Sequence, residues 1–86
     1  YTLSDLAMSD LSAIRHYVAL DRPVAADQLI EKFFRQFELI ANHPQIGALY
    51  ENPLRIELRS LTVKNYVIYY LHSDAEIQIV RVLHGS

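Results

Sequence analysis

Cysteine is absent from the 86 residues. Neither a disulfide nor a thiolate zinc site can therefore brace the chain, a composition that suits a reducing compartment. Glycine occurs only twice, at Gly47 and Gly85, which excludes a glycine-rich loop cradling phosphate on backbone N–H groups. No apolar run approaches the roughly 18 residues of a membrane-spanning helix, and no signal peptide is visible. A soluble cytoplasmic protein without membrane contact is the expectation. A basic excess is missing too: eight Lys and Arg stand against ten Asp and Glu, for a net charge of -2. Phosphate contacts dominate nucleic-acid affinity, so direct sequence-specific nucleic-acid binding by this chain alone is not expected. A local patch stays open, since Arg59, Lys64 and Arg81 fall late in the chain. The serines lack a nucleophile-elbow motif, and the four histidines show no metal-ligand spacing. No metal or cofactor is expected.

What is present reads as one small domain over residues 1–86, with hydrophobic residues at 51% and no repeats, linkers or low-complexity tracts. "YTLS" opens as a short extended segment, and Ser4 or Asp5 then caps a helix. Ala7, Leu11, Ile14 and Val18 follow helical spacing, Leu6 and Tyr17 flank that face, and Asp5, Asp10, Ser12, Arg15 and His16 make the other face polar. Pro23 suits the first turn of a second helix. That helix carries Ala26, Leu29, Ile30, Phe33, Phe37, Ile40 and Ala41 on one stripe and stops at "NHPQIG". After a loop, "LYENP", the period changes to two. Leu54, Ile56 and Leu58 share one face, then Leu61 and Val63 the other, which calls for a bulge near Ser60 or two separate extended pieces. "KN" and "SDAE" are the turns that separate "YVIYYLH" and "IQIVRVLH", both β-branched and aromatic.

The order is β-α-α-β-β-β, an α+β fold in which the N-terminal strand joins a small antiparallel sheet and the helical hairpin packs on one face of it. The other face is then bare. It is expected to carry Tyr66, Tyr69 or Tyr70 with some of Arg59, Arg81 and His84, alternation alone leaving each tyrosine's side open. Tyr and Arg dominate protein interfaces, and Phe34, to one side of the core stripe, is a further candidate anchor.

The stretches "LSDLAMSDLSAIRHYV", "NHPQIG", "LRSLTVKNYVIYY" and "IVRVLHG" cover nearly the whole chain. With this element order, the sequence resembles the ParE branch of the RelE/ParE toxin superfamily. The resemblance implies the toxin of a type II toxin–antitoxin pair, held inactive by a cognate antitoxin and acting on DNA gyrase by binding. It also implies two alternatives. One is a RelE-like endoribonuclease that cuts messenger RNA on the ribosome; the other is an inert member that keeps antitoxin binding.

RNA cleavage through the ribose 2′-OH needs a base, an acid and positive charge on the phosphate. Arg59, Arg81 and His84 are the residues on offer, without a lysine cluster before the second strand and without a tyrosine after Tyr70. Arg81, between Val80 and Val82, reads either as a structural ion pair or as a contact for gyrase, phosphate or an antitoxin carboxylate. Arg59 has the same two readings, with Glu57 as its local partner. His84 reads as a strand-end residue bonding to backbone, or as a proton-transfer or target contact. Gly85 is expected to turn the chain with positive φ. The contact set is Phe34, Arg59, Tyr66, Tyr70, Arg81 and His84.

Overall fold

The computed structural model describes residues 1–85. Strand β1 (Thr2–Leu3) leads into α1 (Asp5–Ala19) and α2 (Pro23–Asn42), followed by β2 (Ala48–Tyr50), β3 (Leu58–Val63), β4 (Tyr66–Ser73) and β5 (Glu76–His84). The five strands form one sheet in the order β1-β5-β4-β3-β2. The α+β architecture is as expected, with two corrections. The sheet is mixed, because β1 runs parallel to β5. The expected loop "LYENP" contributes a further strand, β2, antiparallel to β3.

The helices form where their caps and stripes dictate. Ser4 is extended, and its Oγ accepts from the Ala7 N–H while donating to the Val80 carbonyl. One hydroxyl thus starts α1 and ties it to β5. Pro23 opens α2, where its missing N–H costs nothing. Ala7 and Leu11 from α1 and Phe33, Phe37 and Ile40 from α2 meet Val63, Ile68, Tyr70, Ile77, Ile79 and Val82 from the sheet in one core. Tyr1 packs on Phe37, and Phe33 meets Tyr66 edge-on. Truncating Phe33, which is wholly buried, removes this central ring at a cost of about 3–5 kcal/mol.

Of the two origins offered for the phase slip, the bulge near Ser60 is absent. Pairing of β3 with β4 is regular from Leu58 to Val63, without a bulge at Ser60. Leu54 and Ile56 lie outside any strand, in a loop that Asn52 organises through bonds to the carbonyls of Tyr50 and Ile56 and from the Ile56 N–H. A separate irregularity sits between β4 and β5, where Tyr70 opposes Ile79 and Tyr69 opposes Arg81. Val80 is the extra residue. A bulge reverses the alternation beyond it, so Ile79 and Val82 both face the core although three positions apart. Val80 and Val82 therefore do not share a face as the alternation implied. Gly85 lacks the expected positive φ; the αL positions are Arg55, Lys64 and Asp74, the last two in the hairpin turns.

Asp10 belongs to neither face of α1 as first read. Its carboxylate receives the Arg81 Nε at 2.8 Å, the Arg81 Nη2 at 2.9 Å and the Val82 N–H at 2.9 Å. These bonds, led by those from Arg81, hold its carboxyl below the ordinary value of 3.8. A carboxyl whose folded value is lowered stabilises the fold above its unfolded value and loses that contribution as the pH falls through the folded one. Asp10→Asn is expected to cost about 1–2 kcal/mol near neutral pH, after allowance for partial exposure. The difference from the parent should shrink as the pH drops below 3.8, and urea unfolding across that range measures it.

Tyr70 supplies a second anchor. Its hydroxyl donates to the Pro44 carbonyl at 2.7 Å and accepts from the Gly47 N–H at 2.9 Å, fixing the segment between α2 and β2. A Cβ on Gly47 would stand 2.7 Å from that hydroxyl and 2.8 Å from the Ser60 carbonyl, so the close approach requires glycine. Tyr70→Phe should lose about 1–3 kcal/mol, because the buried Gly47 N–H is left unpaired. Amide exchange at residue 47 should rise with it.

Candidate functional site

Cross-strand neighbours share a face, so the pairing register sorts the candidate residues. Tyr66, Ile68 and Tyr70 alternate toward the helices, and Val67, Tyr69 and Leu71 point to the opposite, uncovered side. Tyr70 is wholly buried, and burial pushes its hydroxyl pKa up. It is a core residue and leaves the contact set. Tyr66 also lies on the helix side, half-buried against Phe33. Among the three central-strand tyrosines only Tyr69 faces outward; it meets Tyr50 across the sheet at 6.0 Å. Desolvation and then the neighbouring Tyr50 raise its pKa.

Arg59 opposes Tyr70, which places it on the helix side and not on the uncovered face. Its Nε donates to Glu57 Oε2 at 2.9 Å, and Nη1 donates to the carbonyls of Gly47 at 2.8 Å and Gln45 at 3.3 Å. The Glu57 partnership is as expected. The same carboxylate oxygen meets His72 Nδ1 at 2.9 Å. The bond from Arg59, then that from His72, holds the Glu57 carboxyl below the usual carboxylate range. Its side chain only 15% exposed, Arg59 clamps the loop with its donors turned inward.

Arg81 opposes Tyr69 and starts on the uncovered side. Its guanidinium nevertheless reaches Asp10 of α1, which raises its pKa. Of the two readings of Arg81, the ion pair is present, made with a helix. His84 opposes Tyr66 and lies edge-on to its ring, centroids 5.2 Å apart, so it belongs to the helix side as well. Phe34 is 39% exposed and lies edge-on to Phe37, at the surface as expected.

The uncovered face that remains has Tyr50, Leu58, Val67, Tyr69, Leu71 and Leu83 as its apolar and aromatic part, with Ser60, Thr62 and Gln78 among them. Sequence reasoning missed all of these but Tyr69, because the side each strand presents depends on its register with its neighbours. It also missed His72 and Asp10, which bind polar partners far away in sequence. Such a face offers apolar area and two tyrosine hydroxyls, the chemistry of a protein interface. Among the described residues there is no group of three His, Asp or Glu that could hold a metal ion, and no helix is long and apolar enough to cross a membrane.

Comparison with known proteins agrees with this architecture. A solved chain of the chromosomal ParDE TA system from P. aeruginosa superposes with a TM-score of 0.79 at 27% identity, covering 99% of this chain and 94% of its own. Toxin RelE2 of Caulobacter vibrioides is 35% identical over 80 residues, 93% of this chain and 88% of the relative. The family described as the ParE toxin of type II toxin-antitoxin system, parDE, matches residues 1–86. From β1 to the end of β5, then, the chain belongs to the ParE toxin family of type II toxin–antitoxin systems.

Proposed function

We propose that this toxin acts by binding, with DNA gyrase as its target in the cytoplasm, and that it has no nuclease chemistry of its own. The observation that carries this reading is that Arg59, Arg81 and His84 do not converge. Arg59 and His84 sit beside Tyr70 and Tyr66, four residues apart on β4, or about 13 Å at roughly 3.3 Å per residue. Arg81 is turned to Asp10. A base, an acid and a free cation around one phosphate need a separation of hydrogen-bond length, and the three residues offer no such point. The uncovered face instead presents Tyr69, Leu71 and Leu83 for contact with a protein. The relative's name, Toxin RelE2, favours the second reading, messenger RNA cleavage, and makes it the opposing arm of the test.

Inducing the toxin without its antitoxin, with DNA and protein synthesis followed by separate pulse labels, distinguishes the two. DNA synthesis is expected to fall first, with strand breaks, and purified gyrase to lose supercoiling activity when toxin is added. If protein synthesis stops first with DNA intact, the binding reading is wrong and messenger RNA is the target. Tyr69→Ser should weaken toxicity by about tenfold or more if this ring is an interface anchor, with Tm close to that of the parent.

A further inference from the structure

Helix α1 sends Ala7, Leu11 and Ile14 into the core. About a third of a turn away, a second stripe runs the length of the helix. It consists of Leu6, Ser9, Ala13, Tyr17 and Leu20, all of them exposed, Tyr17 to 75% and Leu20 to 74%. Leu20 caps the helix in αR geometry and so prolongs the stripe. Neither neighbouring element covers it. Arg15 bridges to Asp27 of α2 on one flank, and Asp10 is turned to Arg81 and Val82 of β5 on the other. A surface helix normally keeps its uncovered flank polar. Three large apolar side chains left on that flank mark a contact surface.

The order of these residues points to the occupant. Their intervals are three, four, four and three, the same in both directions about Ala13. Leucines stand at the two ends, and the small residues Ser9 and Ala13 lie between them. A copy of the same helix, laid antiparallel with its Ala13 on this Ala13, therefore matches leucine to leucine and tyrosine to serine. An unrelated partner makes no use of this symmetry, whereas a two-fold axis through Ala13 uses all of it.

We infer that two copies of this chain associate through α1, antiparallel about a two-fold axis at Ala13. Leu6 of each copy meets Leu20 of the other, Tyr17 lies over Ser9, and the two Ala13 methyl groups touch. Small residues at the crossing let the helices pack at the short end of the usual range of about 8–10 Å. The stripe itself carries no charge. Beyond its ends Asp5 comes near Asp21 of the second copy, whose carboxylate already has Arg22 Nε at 3.6 Å to offset the like charge. One helix pair buries less than the roughly 1,600 Å² of a standard interface, so the association falls in the micromolar range. Because α1 lies on the covered side of the sheet, the uncovered faces of both copies stay open. That the dimer then offers its target two binding faces rests on the proposed function; the association itself does not.

Sedimentation of the purified toxin between about 1 and 200 μM tests the inference across that range. The apparent mass should climb from 9.9 kDa toward twice that value. The chain has no cysteine, so Ala13→Cys adds the only thiol, and the two-fold axis brings two such thiols within the roughly 7 Å Cα separation that a disulfide spans. Mild oxidation should link this variant into dimers at least about tenfold faster than Glu31→Cys on α2, an exposed position away from the stripe. Leu20→Glu should keep the parent Tm and raise the dissociation constant of the dimer about tenfold or more. A toxin that stays monomeric at every concentration overturns the inference. So does a dimer in which residue 13 links no faster than residue 31, since another face then joins the copies. If the toxin is monomeric alone and amides along α1 gain protection from exchange only in the antitoxin complex, the stripe belongs to the antitoxin and the inference falls.

Discussion

Asp10 concentrates more of the tertiary constraint than any other polar side chain here. Its two oxygens accept three hydrogen bonds, two from Arg81 and one from the Val82 N–H. The geometry follows from the short β1. With two residues, that strand leaves the outer edge of the C-terminal half of β5 without a neighbour, and each unpaired N–H there needs an acceptor or water. Placing a carboxylate one and a half turns into α1 supplies the acceptor and fixes the helix against the strand. The Val80 bulge belongs to the same arrangement. It brings Arg81 out of phase with the core, so that the guanidinium is free to reach back to Asp10 while Val82 packs inward. Helix position, bulge and edge protection are thus solved together, and substitution of either charged partner disturbs all three.

This use of Arg81 has a consequence for chemistry. A cation paired with a carboxylate has its charge offset and its orientation fixed, so it stabilises a developing phosphate charge less well. Arg59 is committed in the same way, to Glu57 and to two loop carbonyls. The uncovered face keeps its apolar side chains and loses its cations.

The local signals were legible, and the long-range ones were not. Ser4, Pro23 and the Phe33/Phe37/Ile40 stripe define the helices because capping and 3.6-residue periodicity are local properties. The hairpin turns at Lys64 and Asp74 were equally readable. Ala48–Tyr50 was not: three residues carry too little alternation to separate a strand from a loop. The bulge at Val80 was missed because the contacts that accompany it come from Asp10 in α1, 70 residues earlier. That one residue broke the alternation between Val80 and Val82 and placed His84 beside Tyr66. Tyr66 and Tyr70 went inward for a related reason, since the face of a strand depends on its register with neighbours. Tyr70 has both a large ring and a hydroxyl, and sequence alone does not show whether the hydroxyl finds a buried partner such as Pro44.

The distribution of exposed apolar residues connects stability to regulation. A chain of this length buries a modest share of its surface, and here Leu20, Val24, Leu49 and Leu54 stay out of the core. A partner that covers such residues in the folded state alone stabilises that state by mass action. Any partner that covers these residues therefore couples its own binding to the stability of the toxin. Burying those residues internally would make a sturdier domain and remove the means of controlling it.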